Sequence, residues 1–181
     1  NLVNELMDFR TVQSDKMKLE LHTTDVNTQM KKLAADFSYF ASQKNIQFNV
    51  ITDESLPSNV CIDRNVVEKI VMNLLNNAFK YTNEGGEITI ETHTSPYVSN
   101  IENSYTVMGE FIPKPFFSIS VRDNGVGISK DTIATVFERF YKVKTNNLDS
   151  HLGTGVGLAL VKSLVLLHRG TVTIYSERGK G

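Results

Sequence analysis

Apolar residues recur every three or four positions in three segments of the first half of the chain, a spacing typical of amphipathic helices. The predicted helices cover residues 1 to about 14, 25 to about 44, and 63 to about 83. Asp25 or Asn27 is expected to cap the second helix and Asp63 the third, because a side-chain oxygen there accepts hydrogen bonds from the first unpaired amides. No strand pattern precedes the first segment, which we expect to be the end of a longer helix.

Alternation of apolar and polar residues predicts strands over residues 18–22, 46–51, 87–93, 116–121 and 171–176. A short helix capped by Ser129 and a helix over residues 158–167 are predicted, and the polar segment 142–151 between them is expected to be a mobile loop. About 20 residues before position 116 contain three prolines and fit neither a helix nor a tight turn. Because helices and strands follow in uneven blocks, the predicted fold class is α+β, a two-layer α/β sandwich, rather than a doubly wound parallel sheet.

Composition limits the classes of partner. The 181 residues, 40% of them hydrophobic, can bury one sizeable core, so a single domain is expected. The formal net charge of -1 provides no basic field for nucleic acid or an anionic membrane. The single cysteine, Cys61, cannot form an internal disulfide, which fits a reducing compartment. No apolar run approaches the roughly 20 residues that span a bilayer, and no signal peptide opens the chain.

The first candidate group of functional residues lies on the third predicted helix. Asn73, Asn77 and Lys80 share one stripe beside its apolar face, because they are spaced by whole helical turns. The carboxamides could coordinate a metal such as Mg²⁺, and the ammonium could bind a phosphate. The alternative is that these are ordinary solvated residues at the rim of an amphipathic helix.

The second candidate group is the run Asp-Asn-Gly-Val-Gly-Ile at 123–128, directly after a predicted strand. An ionised Asp123 accepts hydrogen bonds from an amino group such as that of adenine, and the glycines allow a backbone to approach a ring closely. Asn-Gly after a strand is also a strong hairpin signal. The helical spacing that begins at Ser129 argues against a returning strand, and both interpretations stay open on this motif alone.

The third candidate group is Gly-Thr-Gly-Val-Gly-Leu at 153–158, which runs directly into a predicted helix. Backbone amides at a helix N-terminus bind anions, and glycine lets a phosphate approach. A dinucleotide-binding turn would need a strand just before it, and a P-loop would need Lys and Ser or Thr where Leu158 and Ala159 stand. The motif therefore predicts phosphate binding outside both of these folds.

Taken in order, these segments resemble the N, G1, F and G2 boxes of histidine kinases in the GHKL superfamily. The matching segments are residues 73–82, 123–128, 136–141 and 153–158. The resemblance covers nearly the whole chain. It implies the Bergerat ATP-binding fold shared with gyrase-type ATPases, in which helices cover one face of a mixed sheet and a mobile lid closes over ATP.

By position, the resemblance makes Asn77 the Mg²⁺ ligand, Lys80 a phosphate contact and Asp123 the partner of the adenine amine. It makes Asn73 and Lys80 the expected catalytic residues, and residues 139–152 the lid. The other nucleotide-binding residues that it implies are Asn73, Tyr81, Gly125, Gly127, Gly153, Thr154, Gly155, Val156, Gly157 and Leu158.

One position bears on the reaction type. Gyrase-like hydrolases carry a glutamate one helical turn before the metal-binding asparagine, where it acts as general base toward water. Asn73 occupies this position here and has no carboxylate. The resemblance therefore implies transfer of the γ-phosphate of ATP to a histidine rather than hydrolysis.

No histidine of this chain fits the family's acceptor, which lies early in a long helix and is followed by an acidic residue. The histidines are His22, His93, His151 and His168. We therefore expect the acceptor on a dimerisation domain before residue 1, with residues 1–16 as the end of its helix and linker, and 17–181 as the ATP-binding catalytic domain. The family also implies a homodimeric parent anchored in the inner membrane, with this domain in the cytoplasm and a response regulator or receiver domain as partner. The style of the boxes and the linker at residues 8–14 resemble those of hybrid kinases.

The chain departs from the family pattern at three places. Lys142 stands where many members have arginine, the segment 94–115 is longer than the usual hairpin, and the chain stops where the family continues into one more strand. The missing strand is expected to weaken the sheet. Two alternatives remain: an ATPase or clamp on the same fold, and a non-catalytic nucleotide-binding interaction module.

Overall fold

The computed structural model describes residues 7, 10, 11, 17–109, 116–141 and 155–181. Its α-helices are α1 (Val26–Gln43), α2 (Arg64–Tyr81) and α3 (Gly157–Leu167), and a 3-10 turn covers Ile133–Thr135. The predicted loop 142–151 and most of the helix predicted before residue 14 lie outside the described residues. No helix in the described part of the chain has the length and apolar character of a membrane span.

The predicted side-chain caps of α1 and α2 are confirmed. The Asp25 carboxylate accepts a hydrogen bond from the amide of Thr28 at 3.0 Å, so α1 is capped by Asp25 and not by Asn27. The Asp63 carboxylate accepts from the second and third amides after it, at 3.0 and 3.1 Å. A cap of this kind typically stabilises a protein by about 1 kcal/mol.

The strands are β1 (His22–Thr24), β2 (Gln47–Ile51), β3 (Val60–Ile62), β4 (Glu87–His93), β5 (Ser104–Met108), β6 (Ser118–Asp123) and β7 (Thr171–Tyr175). β4 is the centre of a mixed three-stranded sheet, parallel to β2 and antiparallel to β6. β5 and β7 form a separate antiparallel pair, as do β1 and β3. Among the described residues, no backbone pairing joins β6 to β7, so these two strands belong to separate sheets.

Helices α1 and α2 cover one face of the central sheet. Ile88 and Ile90 of β4 are fully buried in the main core, which both helices line. Phe37 of α1 and Phe79 of α2 stack in this core with ring centroids 5.2 Å apart. Each fully buried aliphatic side chain stabilises the fold by about 1.5–3 kcal/mol. The predicted α+β two-layer sandwich, with a mixed sheet covered on one face by helices, is confirmed.

A second, smaller core joins α3 to α2. Val66 of α2 and Leu160 and Leu164 of α3 are buried there, and Met17 and Leu19 of the N-terminal segment pack against them. This contact fixes the start of α3 beside the middle of α2, which is where the candidate site lies.

Two predicted strands are displaced along the chain. The strand predicted at 18–22 begins only at His22, because the amide of Glu20 is bound to the Asp63 carboxylate at 2.8 Å instead of to a neighbouring strand. The strand predicted at 116–121 covers Ser118–Asp123, because its pairing with β4 runs from His93 to Ile88. In both cases the tertiary partner, not the local alternation, sets the bounds.

The short helix predicted after Ser129 is only a 3-10 turn, Ile133–Thr135, and the Ser129 side chain does not cap it. The Ser129 carbonyl accepts the amides of Thr132 and Ile133, while its hydroxyl pairs with the hydroxyl of Thr132 at 3.0 Å. Phe140 then adopts a left-handed backbone with φ of 59°, and its amide donates to the carbonyl of Gly155 at 2.8 Å. The segment therefore turns back toward α3 before an α-helix can form.

Strand β5 was missed by sequence reasoning. It lies within the proline-containing segment 94–115 and pairs with β7 from Ser104 opposite Tyr175 to Met108 opposite Thr171. The described part of this segment, residues 94–109, is thus an added edge strand with its lead-in.

Candidate functional site

Helix α2 carries the first group of candidate residues. The Asn73 side-chain nitrogen donates to the carbonyl of Lys69 at 2.8 Å, which directs its oxygen away from the helix. A Cβ built on Gly157 would lie 2.9 Å from that oxygen, so the first residue of α3 directly abuts Asn73. Asn77 is half-buried, one helical turn further along α2.

Lys80 lies at the exposed end of the same stripe. Its ammonium donates to the hydroxyl of Tyr81 at 2.8 Å and lies 4.4 Å from the centroid of that ring. The structure thus brings Lys80 together with Tyr81, while Asn73 contacts α3. A phosphate contact by Lys80 requires only rotation about its own side-chain bonds, since the residue is exposed.

The loop after β6 is fixed to the end of α2. The Asp123 carboxylate accepts a hydrogen bond from the amide of Gly125 at 2.9 Å, and the amide of Val126 donates to the carbonyl of Tyr81 at 3.2 Å. Gly125 is buried, and a Cβ there would overlap the same carbonyl of Tyr81. No strand occurs between residues 124 and 141, so the hairpin alternative for this motif is excluded.

Asp123 is a half-buried carboxylate with one hydrogen bond from the described residues. Burial raises its pKa above the ordinary value of 3.8, and the hydrogen bond from Gly125 opposes that rise only in part. Only one of its two oxygens has a hydrogen-bond partner among the described residues. A desolvated carboxylate of this kind is ready to accept a hydrogen bond from a ligand.

The third group opens α3. Gly155 has a φ of 69°, a conformation that favours glycine, and Phe140 packs against it. Gly157 begins α3 and Val156 is buried beside it, so the first amides of the helix lie next to Asn73. Gly153 and Thr154 lie outside the described residues, and Leu158 is a half-buried residue of the first turn of α3.

Helix α2 thus aligns the three groups. Asn73 abuts the start of α3, Tyr81 contacts the loop after β6, and Asn77 stands one turn from each. The helical rise separates Asn73 from Tyr81 by about 12 Å, which suits an elongated ligand with a base at one end and phosphates at the other. The carboxylate, the close glycine and the helix-end amides fit the parts of a nucleotide in that order.

The described residues also fit a magnesium ion shared with phosphates. No group of three or more His, Cys, Asp or Glu side chains in the described ranges could cage a metal. Asn77 offers a carboxamide oxygen, a hard ligand, and no described residue donates a hydrogen bond to it. One protein ligand suffices for Mg²⁺, which keeps several waters and shares itself with substrate phosphates.

Sequence reasoning missed the residues after β7 that hold the loop 123–128 on the side away from α2. The amide of Gly179 donates to the carbonyl of Val126 at 2.8 Å, and Gly127, with φ of 63°, has no room for a Cβ against the carbonyl of Glu177. The hydroxyl of Ser176 accepts the amide of Ile128. The glycine spacing at 179–181 was the one available signal of this contact.

This fold and this order of segments define the Bergerat class of α/β sandwiches. The chain belongs to the family described as histidine kinase-, DNA gyrase B-, and HSP90-like ATPase, whose model matches residues 62–181.

The chain is similar to proteins named as histidine kinases. The chain is 33% identical over 175 residues to hybrid signal transduction histidine kinase D of Dictyostelium discoideum, covering 97% of this chain and 10% of that protein. It is 30% identical over 183 residues to histidine kinase P4 of Formosa agariphila, covering 99% of this chain and 12% of that one. The chain therefore spans about a tenth of the length of these relatives.

A similar solved structure is that of full-length ShkA in complex with AMPPNP. It has a TM-score of 0.75 and 26% sequence identity, and the match covers 99% of this chain and 33% of that one.

The close approach at Gly125 gives a first testable prediction. Replacing Gly125 with alanine is expected to break the hydrogen bond from Val126 to Tyr81, because the new methyl would overlap the accepting carbonyl. Hydrogen exchange of the Val126 amide should accelerate at least about tenfold, as expected for loss of about 1.4 kcal/mol of local protection. Gly85→Ala is the matched control, since open space surrounds Gly85 and only its φ of 77° is strained. Unchanged exchange at Val126 in the Gly125 variant would contradict the contact.

The half-buried carboxylate of Asp123 gives a second prediction. Because the pKa of Asp123 is raised in the folded state, its charge destabilises the nucleotide-free fold at neutral pH. That cost declines as the pH falls through the raised pKa and is absent below the ordinary value of 3.8. Asp123→Asn should therefore be more stable than the wild type at pH 7 and equal to it at the acid end, by urea unfolding. A variant less stable at pH 7 would show that the charge is compensated.

Proposed function

We propose that this chain is the ATP-binding catalytic domain of a two-component sensor histidine kinase. It binds Mg²⁺ and ATP and presents the γ-phosphate to a histidine on a dimerisation domain. The observation that carries the proposal is the alignment along α2, with the half-buried Asp123 at one end and the start of α3 beside Asn73 at the other. Membership of the family and the AMPPNP complex of ShkA support the choice of nucleotide.

Each group has a role that follows from its chemistry. Asp123 accepts a hydrogen bond from the adenine amine, and Gly125 and Gly127 let the backbone pass close to the base. Gly153, Thr154, Gly155, Val156, Gly157 and Leu158 form the lid hinge and the amides that face the phosphates. Lys80 turns from Tyr81 to the phosphates, and Tyr81 stays near the base.

Asn77 would hold Mg²⁺, which when bound neutralises phosphate charge. Catalysis by the chain itself is then positioning and electrostatic stabilisation by Lys80 and the helix-end amides. In the transfer, a nitrogen of the acceptor imidazole forms a bond to the γ-phosphorus, the bond from that phosphorus to the bridging oxygen breaks, and ADP leaves.

Asn73 favours transfer over hydrolysis. Its side-chain nitrogen is bound to the Lys69 carbonyl, and its oxygen belongs to a neutral amide that cannot take a proton from water. A hydrolase at this position would need a carboxylate. The chain alone is therefore expected to bind ATP without rapid turnover.

The domain organisation follows the same proposal. Residues 1–16 are the end of the dimerisation helix and its linker, residues 17–181 the catalytic domain, and about 139–152 the lid. Packing of Met17 and Leu19 against the second core supports a start of the domain near residue 17. The parent would be a homodimer, with this domain in the cytoplasm, a membrane anchor elsewhere in the parent protein, and a response regulator or receiver domain as the next phosphate acceptor.

The test is phosphotransfer from labelled ATP to the dimerisation segment that precedes this chain, supplied separately. We expect label on a histidine, recognised because it is labile in acid and stable in base, and no label when this chain is incubated alone. Omission of Mg²⁺ should abolish the transfer. Steady phosphate release by this chain alone, at a rate comparable to known ATPases, would favour the hydrolase instead, and absence of ATP binding would favour the interaction module.

A further inference from the structure

The segment that leads into strand β5 is held by hydrogen bonds at its start. At the start of its lead-in, the amide and hydroxyl of Thr94 both donate to the Asp53 carboxylate at 2.9 Å. β5 then pairs with β7 along its whole length. The segment thus leaves the central sheet at Thr94 and is held again by β7. The end of β7 lies beside the loop 123–128, which is called the nucleotide loop below.

Asn103, immediately before β5, holds the residue that follows β7. Its side-chain nitrogen donates to the carbonyl of Ser176 at 2.6 Å, and its own carbonyl accepts the amide of Ser176 at 3.1 Å. Both backbone groups of Ser176 are therefore bound to one residue of the added segment.

Ser176 connects Asn103 to the loop of the candidate site by hydrogen bonds. It is only 3% exposed, and its hydroxyl accepts the amide of Ile128 at 2.8 Å while donating to the carbonyl of Gly181 at 2.8 Å. Ile128 ends the loop that begins at Asp123. The loop is thus held by Tyr81 of α2 on one side and by the Ser176 hydroxyl on the other.

We propose that the segment 94–109 positions the nucleotide loop through Asn103 and Ser176, and that these two are positioning residues for the ATP site. The inference rests on the proposed function, since it concerns the same site. A loop that is already held in its binding conformation gives tighter ligand binding, because less of the binding free energy is lost in ordering the loop. The added segment, for which the family pattern offers no role, would then set the affinity for the base.

The test compares Ser176→Ala with the wild-type 181-residue chain by calorimetric titration. The variant should bind ATP about tenfold more weakly, the size expected for losing one buried hydrogen bond. Adenosine should lose the same factor, because the loop contacts the base and not the phosphates. Ser176→Thr keeps the hydroxyl and should restore affinity, and Ser38→Ala, which removes a distant hydroxyl of α1, is the control.

A second readout separates positioning from general destabilisation. In the nucleotide-free chain, Ser176→Ala should accelerate hydrogen exchange at the Ile128 amide and leave that of Ile90 in the central sheet unchanged. Asn103→Ala should weaken ATP binding about threefold, with Asn100→Ala as control, and the double variant should be less than additive because both act through one contact. Asn103→Ala keeps the Ser176 hydroxyl and serves if Ser176→Ala does not fold.

Unchanged affinity and unchanged Ile128 exchange in both variants would overturn the inference while leaving the proposed function intact. A wild-type chain that fails to bind ATP would instead contradict the proposed function. The exchange measurement, which needs no nucleotide, would still decide whether Asn103 and Ser176 hold the loop.

Discussion

Replacing Asp123 with alanine is expected to weaken ATP binding by about 100-fold, because hydrogen bonds to a charged group contribute roughly 1.5–3 kcal/mol. The carboxylate is half-buried, and one of its oxygens has no partner among the described residues, so the adenine amine has no substitute acceptor there. Titration calorimetry with ATP measures the effect. Adenosine should be affected as strongly as ATP, since the contact is with the base.

Asp131→Ala is the matched control for Asp123. Asp131 is an exposed carboxylate a few residues further along the same connection, so its loss changes the net charge equally without touching the site. ATP affinity should be unchanged in this variant. Equal affinity of the Asp123 variant and the wild type would place the base elsewhere.

Replacing Asn77 with alanine is expected to remove the dependence of ATP binding on Mg²⁺ and to abolish phosphotransfer. Unlike Asn73, Asn77 has no side-chain hydrogen bond to another described residue, which leaves its oxygen available to the ion. Outer partners of metal ligands already change affinity by about 10–100-fold, so loss of a direct ligand should cost at least as much.

The measurement is ATP affinity with Mg²⁺ and with EDTA, for the wild type, Asn77→Ala and Asn76→Ala. The wild type should bind more tightly with Mg²⁺, the Asn77 variant should bind equally under both conditions, and the Asn76 variant should follow the wild type because Asn76 is exposed on another face of α2. A Mg²⁺ response retained by the Asn77 variant would show that another residue holds the ion.

Local patterns predicted the elements whose stability is largely local. The alternation at 87–93 gives β4 with its observed bounds, because Ile88 and Ile90 bury one face of the strand. Asp63 was predicted as a cap and is one, since a cap depends on amides within three residues of it. These features need no knowledge of distant partners.

Strand β5 could not be predicted in the same way. It is short, it lies between prolines, and it is held by pairing with β7 more than sixty residues later in the chain. The segment after Ser129 shows the opposite case, in which helical spacing was present but the left-handed backbone at Phe140 turned the chain toward Gly155. In both, a long-range contact decided the local structure.

The same distinction between local patterns and long-range contacts applies to the candidate site. The spacing of its residues predicted which face of α2 carries Asn73 and Asn77. The glycine motifs predicted close approach to a ligand, and the close contacts of Gly125 and Gly157 in the structure are with protein atoms. The contact between Lys80 and Tyr81 and the hydrogen bond from the loop to Ser176 depend on side-chain and tertiary geometry. The residue types of the candidate site were therefore readable from the sequence, and the contacts that hold them were not.

The central claim is that α2 aligns three groups into one ATP site, and an NMR titration of the 181-residue chain with Mg²⁺ and ATP tests it most directly. Amide signals of Asn73 and Asn77, of the loop from Asp123 to Ile128, and of the start of α3 at Gly157 should all shift, and their shifts should follow a single binding curve. Shifts confined to one of these groups, or no shifts at all, would contradict a shared nucleotide site.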